Sequence, residues 1–228
     1  MPSNLNRNPA GPAPPPAIIT VVDYNIPGGT HKLYDINFDS HTIKTLVTTS
    51  PYFVNAWLYQ TLQLHSHHHH LLIGLDIEWR PNLQPGDNNR VATLQLCVGH
   101  RCLIYQIFHA RSIPASLVEF LSNPNHMFVG VGVRDNANKL FRDYRLRVAN
   151  CVDLCTVAAD LMGDPAMKRV GLRRLAQRVI GRDVEKQRNI TMSKWDKRWL
   201  SKKQVKYATV DAYVSSEIGL RLLLPFWF

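Results

Sequence analysis

Nine residues constrain this chain more than any others: Leu71-Leu72-Ile73-Gly74-Leu75-Asp76-Ile77-Glu78-Trp79. The run is aliphatic or aromatic apart from Gly74 and two acids. It ends at Arg80-Pro81, where a proline cannot donate to a ladder. It therefore reads as a strand buried on both faces. Side chains alternate along a strand, so Gly74, Asp76 and Glu78 share one face, and Ile73, Leu75, Ile77 and Trp79 take the other. Burying two neighbouring carboxylates without partners costs several kcal/mol. A divalent cation relieves that cost, and hard oxygen ligands suit magnesium and manganese. An Asp-x-Glu on a solvent-facing edge strand needs no such remedy, so the pair alone leaves both readings open.

The rest of the chain must decide, and 228 residues with 45% hydrophobic and 19% charged content suffice for one domain with extensions. No run of eighteen apolar residues exists, so no membrane-spanning helix is expected. The stretch Met1 to Pro16 is rich in Pro and Asn and lacks the basic-then-apolar layout of a secretory signal. An intracellular protein, in nucleus or cytoplasm, is the expectation. Cys97, Cys102, Cys151 and Cys155 lie in apolar segments without Cys-x-x-Cys pairs, and read as reduced, buried thiols. The net charge of +10 is unevenly placed. About half of the 27 Lys and Arg fall between Lys168 and Lys206, opposed only by Asp183, Glu185 and Asp196. Such a surface attracts polyanions, nucleic acid foremost; a solvated basic face without a partner is the alternative.

Along the chain, the proline-rich residues 1–16 read as a disordered tail and 17–49 as an extension made of strands. Ala17 to Val22 is one strand, and His31 to Val47 supplies one or two more, with Leu33, Ile36 and Phe38 on the buried side. Ser50-Pro51 opens a helix as cap and first-turn proline, with Val54, Trp57, Leu58 and Leu62 as its apolar stripe. His65, Ser66 and His67 to His70 form a tract that is either a transition-metal ligand set or an exposed loop. Val91 to Val98 and Cys102 to Phe108 are strands joined tightly by Gly99-His100-Arg101, so the central strand opens an antiparallel meander. Leu117, Phe120 and Leu121 mark a helix, Met127 to Val133 a strand, and two helices cover about Asn136 to Tyr144 and Asp153 to Met162. Val170 to Ile180 places Leu172, Leu175, Ala176 and Val179 inside and Arg173, Arg174 and Arg178 outside, with Gly181 as its stop. The last helix starts at Ser201, with Gln204 completing a capping box, and runs to about Leu223. Three strands followed by helix–strand alternation imply a mixed sheet flanked by helices.

That last helix carries Asp211 between Val210 and Ala212, a poor place for an unpaired acid, and Tyr207 one turn earlier on the same face. If this face looks at Asp76 and Glu78, three carboxylates and a phenol converge. Phosphodiester hydrolysis uses such a set: acids hold two divalent ions, and a tyrosine hydroxyl can orient the attacking water. A packing aromatic and a surface acid are the alternatives for Tyr207 and Asp211 taken singly.

Asp76-x-Glu78 after Ile-Gly, Val129-Gly130-Val131-Gly132-Val133 ahead of Lys139-Leu140, and Tyr207-x-x-x-Asp211 come in an order that resembles the DEDDy branch of the DnaQ-like 3′–5′ exonucleases. The likeness is strongest to Werner-syndrome-type exonuclease domains, especially small stand-alone plant members. Ser193-x-Trp195, Leu200, Gln204, Val152-Asp153-Leu154 and Gly171-Leu172-x-x-Leu175-Ala176 add to it, over roughly residues 50 to 223. The resemblance implies an exonuclease domain over 50–228 with a ribonuclease H-like, three-layer α/β fold: a five-stranded mixed sheet with helices on both faces. It further implies removal of nucleoside monophosphates from DNA or RNA 3′ ends with two Mg²⁺ or Mn²⁺ ions. Asp76 would bridge the ions, Glu78 and Asp211 would hold the nucleophile-side one, and Tyr207 would position the water. Arg173, Arg174, Arg178, Lys202 and Lys203 are candidate phosphate contacts. A homo-oligomer, or association with related nucleases or helicases, is also in keeping with it.

One departure matters. The family's third acid stands three residues before the Lys-Leu pair, which here is Asn136, with Asp135 one residue earlier. Either Asp135 rotates into the role, or the second ion is held weakly, with an Asn136 carbonyl in place of an acid and one negative charge lost, and the enzyme is slow or inactive. A catalytically weak or silent member that binds nucleic acid is therefore the rival expectation, and a histidine-tract metal carrier a third.

Overall fold

A computed structural model describes residues 13–27, 29–67 and 70–223. Three strands come first, β1 (Ile19–Asp23), β2 (His31–Phe38) and β3 (His41–Thr48), followed by α1 (Pro51–Leu64). The meander is β4 (Leu72–Trp79), β5 (Val91–Val98) and β6 (Arg101–Tyr105). Then come α2 (Ala115–Ser122), β7 (Met127–Gly130), α3 (Val133–Tyr144), β8 (Cys151–Asp153), α4 (Leu154–Met162), α5 (Leu172–Val179), the single turn α6 (Arg188–Thr191) and α7 (Lys202–Leu223).

Among the described residues the strands form one sheet in the order β1-β2-β3-β6-β5-β4-β7-β8. This corrects the five-stranded expectation: the sheet has eight strands. The five expected are β6-β5-β4-β7-β8, with antiparallel pairing inside the meander and parallel pairing of β4 with β7 and of β7 with β8. The other three join the same sheet, because β3 lies parallel to β6 from Lys44–Arg101 to Thr48–Tyr105. An unpaired edge of β6 would expose a row of backbone donors and acceptors, and β3 satisfies them.

Two apolar cores lie on the two faces. One packs α4, α5 and α7 against Ile36, Ile43, Leu72 and Val129; the other packs α1, α2 and α3 against Ile73, Leu75, Ile77 and Leu96. Helix α7 is buried almost all round, which is why its sequence is apolar on every side apart from a few positions. Its start is set by the expected box: Ser201 N–H donates to Gln204 Oε1 at 3.0 Å and Gln204 N–H to Ser201 Oγ at 3.3 Å. No helix among the described residues is long and apolar enough to cross a membrane.

Several local expectations shift. On β2 the buried set is Tyr34, Ile36 and Phe38, while Leu33 has the opposite parity and is 40% exposed. On α1 Thr61 is buried in place of Leu62, and Ser50 makes no side-chain cap. The strand from Cys102 ends at Tyr105 in a 3₁₀ turn, Ile107–His109. The strand from Met127 ends at Gly130, and Val133 already belongs to α3. The expected tail is tied down near its end, since Asp183 N–H donates to Pro15 O and Ala17 N–H to Asp183 O, both at 2.9 Å. Residues 1–12 of it lie outside the described residues, as do His68 and His69 of the histidine tract. The four cysteines are free thiols, three buried and Cys151 half-buried.

Gly74 lets the site form. A Cβ there would stand 1.9 Å from the Ala212 carbonyl oxygen, so β4 and α7 touch backbone to backbone. Gly74→Ala must push the helix off the strand, and a loss of about 2 kcal/mol or more is expected from overpacking. Gly219→Ala meets side-chain methyls instead of backbone, Val129 Cγ2 at 2.9 Å and Leu72 Cδ2 and Cδ1 at 3.2 and 3.3 Å, and should cost less. Urea midpoints of the two variants check this; equal losses would contradict the close approach.

Candidate active site

Three elements deliver the site. Strand β4 projects Asp76 and Glu78 from the face that α7 covers, α7 brings Tyr207 and Asp211 on one of its own faces, and the first turn of α3 adds Asn136. One carboxylate oxygen from each of Asp76, Glu78 and Asp211 lies within 4.8 Å of the other two. Glu78 and Asp211 are 8% and 6% exposed, so little water screens them. Burial and the nearby Asp211 push the Asp76 carboxyl up to about 7. Burial, Asp76 and Asp211 raise Glu78 well above the usual carboxylate range, and burial raises Asp211 although Lys186 and Tyr207 oppose it. Like charges this close, short of water, are costly unless cations join them.

Asn136 is turned into this cluster: its Nδ2 donates to Asp76 Oδ1 at 3.0 Å. Asp135 is exposed and lies outside the cluster. Tyr207 accepts a hydrogen bond from Thr191 Oγ1 at 3.1 Å, and Trp195 Nε1 in turn donates to the Thr191 carbonyl at 3.2 Å. Burial and then Asp211 raise the phenol, so it keeps its proton and can still donate. Gln204 ties the loop before α7 to the helix start through Ser193 Oγ at 3.0 Å and the Lys194 carbonyl at 3.2 Å.

Lys186 was not foreseen. Its Nζ stands 3.6 Å from Asp211 Oδ2 and 5.7 Å above the Tyr207 ring centre. Thr191 was missed as well. Lys186 lies in an irregular stretch and Thr191 closes the single turn α6, and neither segment is long enough to show a periodicity that tells which side chains turn inward. The basic candidates divide. Arg173 grips Asp183 with two contacts of 2.6 Å, and Lys202 stands 3.4 Å from Asp23. Arg174 and Arg178 are exposed on α5. Lys203 lines a cavity of about 170 Å³ together with Lys206, Tyr207 and Asp211.

Hard oxygen donors converging in a dry pocket fit divalent cations such as Mg²⁺ or Mn²⁺. A mixed sheet with this strand order, whose central strand and last helix bring three acids together, defines the ribonuclease H-like class of DnaQ type. The chain belongs to the 3′-5′ exonuclease family, whose sequence model matches residues 53–224. It is 36% identical over 145 residues to a 3′-5′ exonuclease of Arabidopsis thaliana, spanning 63% of this chain and 49% of that protein. It is 32% identical over 152 residues to the bifunctional 3′-5′ exonuclease/ATP-dependent helicase WRN of Mus musculus, spanning 66% of this chain and 11% of that one. The match thus spans about half the length of the first relative and a small part of the second. Among solved structures, an EXD2 exonuclease domain aligns over 78% of this chain and 88% of its own at 23% identity and a TM-score of 0.46.

Proposed function

We propose that this protein is a divalent-metal-dependent 3′–5′ exonuclease that releases nucleoside monophosphates from the 3′ ends of DNA or RNA. The observation that carries this reading is the meeting of Asp76, Glu78 and Asp211 within 4.8 Å, in a chain of the exonuclease family. Asp76, Glu78 and Asp211 would hold one ion, and Asp76 with Asn136 would face a second. Two such ions supply a nucleophile at neutral pH and neutralise charge on the phosphoryl oxygens. The chain's own groups do the positioning. Thr191 fixes the Tyr207 hydroxyl, whose retained proton donates to the attacking water and orients it. Tyr207 and Val210 line the cavity beside Asp211, and the buried Trp195 packs against the Tyr207 ring at a centroid distance of 6.0 Å. The test is a 5′-labelled oligonucleotide incubated with Mg²⁺ or Mn²⁺ against EDTA. A ladder of shortened products in metal alone supports the reading; an intact oligonucleotide in both metals sinks it.

A second reading, a silent member that binds nucleic acid without cutting it, is favoured by one observation: Asn136 presents a hydrogen-bond donor to Asp76 where an acid would add a ligand. In that case binding persists while the ladder is absent from both metals.

The basic side chains near the cavity would track phosphates. Replacing Lys203 and Lys206 by Ala should lower the slope of log K against log salt by about one per lost contact. Arg173→Ala should leave the slope unchanged, since its guanidinium is engaged by Asp183. Fluorescence anisotropy at several salt concentrations measures both; a lower slope for Arg173→Ala would reverse the assignment.

A further inference from the structure

Among the described residues, the only salt bridge to the acidic cluster comes from Lys186. Its side chain, 47% exposed, reaches in from the mouth of the site toward Asp211. The loop that presents it is tied on two sides. Asp183 exchanges backbone hydrogen bonds with Pro15 and Ala17, and its carboxylate receives Arg173 at 2.6 Å and Gln177 at 2.8 Å. The stretch around Pro15 and Ala17 lies outside the family match, which begins at residue 53.

We infer that Lys186 is a built-in counter-ion of the acidic cluster, which occupies the charge position in the metal-free protein and is displaced when a divalent cation enters. This rests on the metal-dependent reading above and deepens it, because the lysine then sets the metal concentration at which the site fills. Three carboxylates in a dry pocket need positive charge whether or not metal is present, and Lys186 supplies it in the metal-free protein. An entering ion meets a like charge only a few ångströms away, where the repulsion is strong in a poorly solvated site. Removing the lysine therefore has two effects of opposite sign. The metal-free fold loses its compensation, and the metal loses its competitor. A lysine that merely packed or braced the loop would weaken both when removed.

The experiment is isothermal titration calorimetry of Mn²⁺ into the full chain, paired with thermal unfolding in EDTA. Lys186→Met should bind Mn²⁺ about tenfold more tightly than wild type, and its metal-free midpoint should fall. Lys186→Arg keeps the charge and should stay within about threefold of wild type. Mn²⁺ affinity that is unchanged or weaker in Lys186→Met overturns the inference. If that variant does not fold, amine labelling of the wild type read by mass spectrometry decides. Labelling of Lys186 should rise with Mn²⁺ at the same half-saturation as binding, and flat labelling overturns the inference. A wild type that binds no Mn²⁺ overturns the metal reading and this inference together. A wild type that binds Mn²⁺ as tightly as Lys186→Met overturns this inference alone.

Discussion

Asp76→Ala should reduce nuclease activity at least about a thousandfold, equivalent to ~4 kcal/mol of transition-state stabilisation, and leave the metal-free protein as stable as wild type or more so. The two effects have separate causes. Asp76 is the one acid that touches both Asn136 and the cluster with Glu78 and Asp211, so its loss removes a ligand from each proposed ion position. In the metal-free protein the same carboxylate is a burden. Even with the Asn136 hydrogen bond in its favour, burial and Asp211 hold it at about 7, so its charge is less comfortable here than in water. Alanine removes that charge and leaves the Asn136 amide, which is half-buried, within reach of solvent. The stability gain at pH 8 is expected to be on the order of 1–2 kcal/mol. Adding Mn²⁺ should raise the unfolding temperature of wild type through binding linkage and leave that of the variant unmoved. The checks are release of a 3′ label and thermal unfolding with EDTA or Mn²⁺. Unfolding of the variant in EDTA would mark Asp76 as structural instead.

How far such a site can be read from sequence follows from the range of the forces that build it. Asp76 and Glu78 were assigned to one face because strand alternation is local, and Tyr207 with Asp211 because a helical turn is local. That the two faces meet depends on backbone contact at Gly74 and Ala212, far apart in sequence, and only the motif order hinted at it. The N-terminal strands were legible one by one. Their place beside β6 was not, because pairing partners are chosen over long separations and β6 offered a free edge. On β2, Leu33 was misassigned because Tyr34 on one face and Leu33 on the other look equally fit for burial. Strand β8 has three residues, too few to show any period. Arg173 looked ready for phosphate in isolation, but Asp183, ten residues on, already holds it. Lys186 was one basic residue among many in a segment without periodicity. Only the folded loop shows that it, and not Arg173, reaches the acids.

Asn136→Asp should raise Mg²⁺-dependent exonuclease activity by roughly tenfold or more, the factor that ~1.4 kcal/mol of transition-state stabilisation provides. The side chain is already aimed correctly, since Nδ2 sits 3.0 Å from Asp76 Oδ1. A carboxylate in that place turns a donor facing Asp76 into an acceptor facing it. Without metal this is unfavourable: a fourth acid joins three crowded ones, and the unfolding temperature in EDTA should drop by an amount corresponding to about 1–2 kcal/mol. With metal the sign reverses, because two carboxylates would then face the proposed second ion position, where a cation would offset negative charge developing on the leaving oxygen. The gain should be larger in Mg²⁺ than in Mn²⁺, as Mg²⁺ demands near-ideal octahedral ligation and tolerates an incomplete ligand set poorly. Lower stability in EDTA combined with higher activity in Mg²⁺ is therefore the signature, and a purely structural effect would not cross in this way. Asp135→Asn is the control. Its carboxylate is exposed and outside the cluster, so the change should leave activity within about twofold, as surface substitutions do. Should Asp135→Asn abolish activity while Asn136→Asp adds nothing, Asp135 is the third acid, and α3 must turn by one position when metal binds.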